Sequence, residues 1–155
     1  MISTRSGLVA FLVDTNVLVY AYDPADRVKA SRAGACIQRL TDSWNGALTA
    51  QVLSEFFIAT TRRLNPPLRA AEADAILVGL IRDWPVYEVT PLGVLDAIRA
   101  VQNYQFSYWD ALIWATARLN GIPNVLTEDM PSASLIEGVR FVNPFDATFD
   151  LARLD

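Results

Sequence analysis

Residues 7–23 read "GLVAFLVDTNVLVYAYD", two apolar runs with Asp14, Thr15 and Asn16 between them. The first run, "LVAFLV" at 8–13, is continuous and of strand type, the pattern of a strand buried on both faces of a parallel sheet. The second, "NVLVYAY", reads as a short helix. Ionised carboxylates are rarely buried without a partner. Asp14 therefore either caps the helix that follows or is delivered to the carboxyl edge of the sheet, where α/β folds bind their ligands.

The rest of the chain alternates in the same way. "PADRVKASRAGACIQRL" at 24–40 reads as a helix, with Val28, Ala33, Cys36, Ile37 and Leu40 near one face. A very short strand at Ala47 and Leu48 leads to Thr49, a plausible N-cap for a helix carrying Val52, Leu53, Phe56, Phe57 and Leu64. "NPP" at 65–67 ends that helix. "LRAAEADAILVGLI" follows with Ala73, Ile76, Leu77 and Leu80 in a stripe. "VYEVT" at 86–90 reads as a strand, and Thr90 with Pro91 opens a helix over roughly 92–102. In "SYWDALIWATARLNGI", Ser107 and Asp110 have capping-box spacing and Gly121 sits where a C-cap belongs. "NVLTED" and "GVRFVNPF" supply two more short strands. The alternation implies one α/β domain over 1–155, with a mostly parallel central sheet flanked by helices.

Composition narrows the chemistry. The 155 residues are 52% apolar and 19% charged, which is globular and leans toward an oligomer seam or a partner groove. With no histidine, Ser-His-Asp triads and imidazole zinc sites are excluded. A single cysteine, Cys36, permits no internal disulfide and reads as a small apolar side chain in a reducing compartment. Asp14, Asn16 and Asp23 interrupt the opening apolar run, so neither a membrane span nor a signal peptide is expected, and the expected location is the cytoplasm.

Four acids stand in comparable places. Asp14 and Asp129 follow strands, with Glu128 beside the latter, Asp110 lies in a helix first turn, and Glu55 lies inside an apolar helix. Each has an ordinary structural alternative, namely a cap, a capping box, a solvated helix face and a turn. Together they favour a metal. Carboxylates near one point repel each other and each pKa rises, a penalty that a divalent cation removes. An all-oxygen site without histidine or thiolate suits Mg2+ or Mn2+.

These residues resemble the PIN-domain ribonucleases, especially the toxins of VapBC-type toxin–antitoxin pairs. "FLVDTNVLVYAYD" resembles the opening motif, "TAQVLSEFF" the second, "SYWDALIWATA" the third, "VLTEDM" the fourth and "GVRFVNPF" the closing strand, over roughly residues 10–145. The resemblance implies a PIN-like three-layer sandwich with Asp14, Glu55, Asp110 and Asp129 as the catalytic, metal-binding acids. Asn16, Thr127 and Glu128 match supporting positions. It also implies Mg2+- or Mn2+-dependent hydrolysis of RNA to 5′-phosphate and 3′-hydroxyl ends, a cognate antitoxin that blocks the site, and a homodimer. After the fourth motif, many relatives carry a Gln/His/Gly-bearing stretch where this chain has "PSASLIEG".

A net charge of -4 is unusual for a protein that binds a polyanion, so cationic patches are expected to help. Arg62 and Arg63 are the candidate RNA contacts, with Arg27, Lys29 and Arg32 on another helix. Trp44 is expected in core or dimer packing. Two other functions fit less well. A phosphatase with Asp14 as nucleophile would need a second Asp where Asn16 stands, and no lysine is placed for it. A catalytically silent RNA- or protein-binding module would keep the fold without the intact set of acids. A dinucleotide fold fails because "DTNVLV" replaces the glycine-rich turn.

Overall fold

An apolar strand without alternation needs cover on both faces, and the fold provides it. The computed structural model describes residues 9–155. Six strands, β1 (Phe11–Val13), β2 (Gly46–Thr49), β3 (Val86–Tyr87), β4 (Asn124–Leu126), β5 (Leu135–Ile136) and β6 (Val139–Val142), lie in the order β3-β2-β1-β4-β6-β5. All neighbours are parallel except β5 and β6. Helices α1 (Thr15–Tyr20), α2 (Arg27–Ser43), α3 (Ala50–Arg62), α4 (Ala70–Asp83), α5 (Pro91–Tyr104) and α6 (Tyr108–Leu119) flank this sheet, and a 3-10 turn (Leu151–Leu154) closes the chain. The α/β sandwich expected from the sequence is the fold observed.

The central strand β1 is buried throughout, and Leu12, Leu18, Leu48, Phe56, Trp114 and Phe141 fill the core around it. Strand β1 is shorter than the expected 8–13, and Leu8 lies outside the described residues. The expected caps form. Thr49 Oγ1 accepts from Val52 N at 3.0 Å, Thr90 Oγ1 from Gly93 N at 3.1 Å, and Ser107 Oγ from Asp110 N at 3.3 Å. Beyond α6, Gly121 adopts φ +68°, the left-handed conformation that glycine takes without a Cβ penalty. Cys36 is buried, and burial pushes its thiol up to about 11, in keeping with a packing role.

Three local features refine the expectations. Val28 is 82% exposed, because it stands five residues before Ala33, about 140° round the helix from it and off the face that seats Ala33, Cys36 and Leu40 in the core. Trp44 is 72% exposed, so it packs in no core. It leaves α2 through a left-handed backbone, φ 58°, which turns the chain directly into β2. The "PSASLIEG" stretch carries one edge of the sheet. Its Leu135 and Ile136 form an antiparallel edge strand, joined to β6 by Glu137 and Gly138, both at positive φ as a two-residue hairpin of the primed type requires. Trp114 Nε1 donates to Ile136 O at 3.1 Å, and Glu137 pairs with Arg99 and Arg118, so this hairpin is tied to α5 and α6.

Candidate metal centre

Strands β1 and β4 run parallel with Val13 opposite Leu126, so they end together and release Asp14 and Thr127 side by side. Asp14 N donates to Leu126 O at 3.0 Å, which fixes its backbone to β4. Its two carboxylate oxygens are used differently. Oδ1 accepts from Thr15 N at 2.7 Å and caps α1, while Oδ2 accepts from Thr127 Oγ1 at 2.7 Å and from Asn16 Nδ2 at 3.3 Å. The cap and the ligand readings of Asp14 are therefore compatible.

Asp110 is the third residue of α6, and Asp129 stands three residues beyond β4. One carboxylate oxygen from each of Asp14, Asp110 and Asp129 lies within 4.8 Å of the others. Opposite oxygen ligands on one small divalent ion are about 4 Å apart, so the donor set fits a hard cation. Among the described residues no lysine or arginine forms an ion pair with any of the three.

The electrostatics agree with that fit. Asp14 is only 5% exposed, and burial pushes its carboxyl up to about 7, with the Asp110 and Asp129 charges adding to the rise. Hydrogen bonds from Thr127 and Thr15 oppose it. Burial also raises Asp110, and Asp129 and Glu55 push in the same direction. Three carboxyls gathered without a counter-charge form a site whose ionised state calls for a cation.

The supporting residues fall into two groups. Asn16 Nδ2 reaches Asp129 Oδ2 at 3.0 Å and Thr127 Oγ1 at 3.2 Å, besides Asp14. Thr127 Oγ1 also accepts from Asp129 N at 3.1 Å, so Asn16 and Thr127 join the first acid to the last. Glu128 belongs to a second group. It is held away from the triad by Tyr20 and Lys29, at 2.6 Å and 2.7 Å. That ion pair also removes Lys29 from the free cations expected to meet RNA.

Glu55 lines the same cleft as the triad without joining the three-oxygen group. Its Oε2 accepts from Thr15 Oγ1 at 2.8 Å and its Oε1 from Gln51 Nε2 at 2.7 Å. Gln51 Nε2 also donates to Trp109 O at 3.1 Å, linking α3 to the start of α6, and its Oε1 is buried without a partner. Thr15 and Gln51 went unnoticed in the sequence, although Gln51 stands one helical turn before Glu55. The cleft measures about 1010 Å3 and has an apolar wall that includes Val19, Ile58, Trp109 and Ile113. Arg63 lines it, while Arg62 is exposed at the same helix end. No helix among the described residues is long and apolar enough to cross a membrane.

Comparison with known proteins agrees with this architecture. The family model described as "PIN domain" matches residues 11–130. No curated protein sequence matches the chain. Among solved structures, the Mycobacterium tuberculosis VapC20 toxin, described as cleaving the sarcin–ricin loop, aligns at 26% identity and TM-score 0.61, over 84% of this chain and 98% of that one. PAE2754 from Pyrobaculum aerophilum shares the fold at 19% identity and TM-score 0.63, covering 95% and 96%. A toxin–antitoxin complex from Klebsiella pneumoniae does so at 18% identity and TM-score 0.61, covering 87% and 98%. With its strand-end acids, its sheet order and a family match that takes in all four acidic motifs, the chain belongs to the PIN-domain family.

Proposed function

We propose that the chain works as a single-domain, Mg2+- or Mn2+-dependent endoribonuclease and as the toxin of a toxin–antitoxin pair. The observation that carries this reading is the convergence of Asp14, Asp110 and Asp129 to within 4.8 Å at the carboxyl end of a parallel sheet. Asp14, Asp110 and Asp129 would hold the cation directly, and Glu55 would hold it through solvent. When bound, a divalent cation supplies an acidified water and neutralises charge at the phosphate. Asn16 and Thr127 orient Asp14 and Asp129, which keeps the acceptor oxygens aimed at one point. Thr15 and Gln51 hold Glu55 at the side of the cleft.

RNA is the substrate class best supported, because the 26%-identical VapC20 is described as a toxin that cleaves the sarcin–ricin loop. Arg63 at the cleft, with Arg62 beside it, would contact the RNA backbone and offset the acidic surface. The apolar wall would receive an amphipathic segment of the cognate antitoxin, and the active species would be a cytoplasmic homodimer. The test is cleavage of total RNA by the purified chain with Mg2+ or Mn2+. Activity that disappears in EDTA and in Asp14→Asn supports the reading, and cleavage retained in folded Asp14→Asn refutes the assignment. Unchanged RNA affinity after Arg62→Ala with Arg63→Ala would remove those two residues from it.

A further inference from the structure

Beside the acidic triad lies a second cluster built from three different segments. Tyr20 ends α1, the helix that begins at Asp14. Lys29 lies in the first turn of α2, where the cap Asp26 Oδ1 accepts its backbone N–H at 3.0 Å. Glu128 stands between Thr127 and Asp129. Tyr20 Oη donates to Glu128 Oε1 at 2.6 Å, and Lys29 Nζ donates to Glu128 Oε2 at 2.7 Å. Lys29 Nζ also donates to Tyr20 Oη at 3.2 Å, so the three groups close a triangle. The ammonium rests over the Tyr20 ring at 4.4 Å and the Phe145 ring at 5.2 Å, and those rings meet edge-on at 5.1 Å.

Both Glu128 oxygens are thus engaged, and the segment 127–129 is tied to α1 at two places. Asn16 holds it near the start of the helix, through Thr127, Asp129 and the Glu128 N–H, and Tyr20 holds it at the end. The need for a tie falls on Asp129, the exposed member of a triad whose Asp14 is fixed by burial. We propose that Tyr20, Lys29 and Glu128 form a positioning clamp that sets Asp129 against Asp14 and Asp110, so that cation affinity depends on residues that do not touch the ion. The proposal rests on the reading of the triad as a metal centre. It separates from a purely structural role because the Lys29–Glu128 pair is partly exposed, with side chains 32% and 22% accessible. Such pairs contribute little to fold stability, whereas partners that orient metal ligands change metal affinity about 10- to 100-fold.

The experiment is Mn2+ binding to the full chain, read by electron paramagnetic resonance, with melting curves recorded in EDTA. Lys29→Met and Glu128→Gln are expected to weaken Mn2+ binding about tenfold with little change in metal-free melting. Tyr20→Phe, which loses one hydrogen bond, is expected to weaken it less, and Lys29→Arg to recover most of the affinity. Should Lys29→Met fail to fold, Glu128→Gln and Tyr20→Phe carry the test. Wild-type affinity in the folded clamp variants, with binding lost in Asp129→Asn, overturns the clamp and leaves the metal centre standing. Absence of any wild-type Mn2+ binding that Asp14→Asn removes overturns both.

Discussion

Replacing Asp14 with Asn should make the metal-free protein more stable at pH 8 while destroying its site. The Asp14 carboxyl moves from 3.8 to about 7 on folding, chiefly because burial disfavours its charge. A tenfold change in proton affinity corresponds to ~1.4 kcal/mol, so ionising this group in the folded protein costs on the order of 4 kcal/mol. Because the folded pKa is raised, the folded state binds the extra proton between the two values. The associated stability is fully present below about pH 4 and is lost as pH rises through about 7. Between pH 5.5 and 8 the wild-type protein in EDTA should therefore lose about 2 kcal/mol, and Asp14→Asn should lose none of it. An Asn side chain can still accept from Thr15 N, but its amide would face the Asn16 amide now 3.3 Å from Oδ2, a cost of about 1 kcal/mol. The net expectation at pH 8 is a variant more stable by roughly 2–3 kcal/mol, measured by urea unfolding in EDTA. Saturating Mn2+ should reverse the order by stabilising only the wild type. A variant less stable than wild type in EDTA at pH 8, or a wild type whose stability is flat over this range, would show that burial does not hold Asp14 protonated.

Thr127→Val removes the 2.7 Å hydrogen bond to Asp14 and should weaken Mn2+ binding and cleavage by about tenfold or more, read by metal titration and by RNA cleavage. Glu55→Gln should weaken Mn2+ binding by less than about tenfold, the lower end of the loss for partners that orient the ligands, while reducing cleavage, since Glu55 lies outside the three-oxygen group and hydrogen-bonds to none of its members. Gly46→Ala places a Cβ 3.0 Å from the buried Trp84 ring, which Thr41 Oγ1 fixes through Nε1 at 3.0 Å, and should cost about 1–3 kcal/mol in urea unfolding.

The acidic centre was legible in the sequence because parallel strands end at a common edge. Asp14 and Asp129 follow such strands, and Asp110 opens a helix that returns to the same edge, so residue order alone brings three carboxyls near one place. The long apolar stripes and the Thr49, Thr90 and Ser107 caps were legible for a similar reason, since each depends on neighbours within one turn. Glu128 was harder. It is adjacent to Asp129 in sequence, yet its partners Tyr20 and Lys29 lie about a hundred positions away, and no local pattern announces them. Of the two expectations for Trp44, core packing fails because the residue is exposed at the end of α2, and dimer packing is the one that exposure permits. Val28 is apolar but falls outside the α2 stripe, about 140° round the helix from Ala33, so its hydrophobicity says nothing of the core. The Glu55 support escaped notice in part, because Gln51 is a helical neighbour while Thr15 comes from across the cleft.

Whether these acids make an RNA-cleaving metal centre can be decided by sequencing RNA ends after induction of the wild-type chain and of Asp14→Asn in the same cells. Discrete new 5′-phosphate ends are expected with wild type and none with the variant at equal protein levels. The same ends appearing with both, or no new ends from folded wild-type protein free of any antitoxin, would contradict an RNA-cleaving role for the triad.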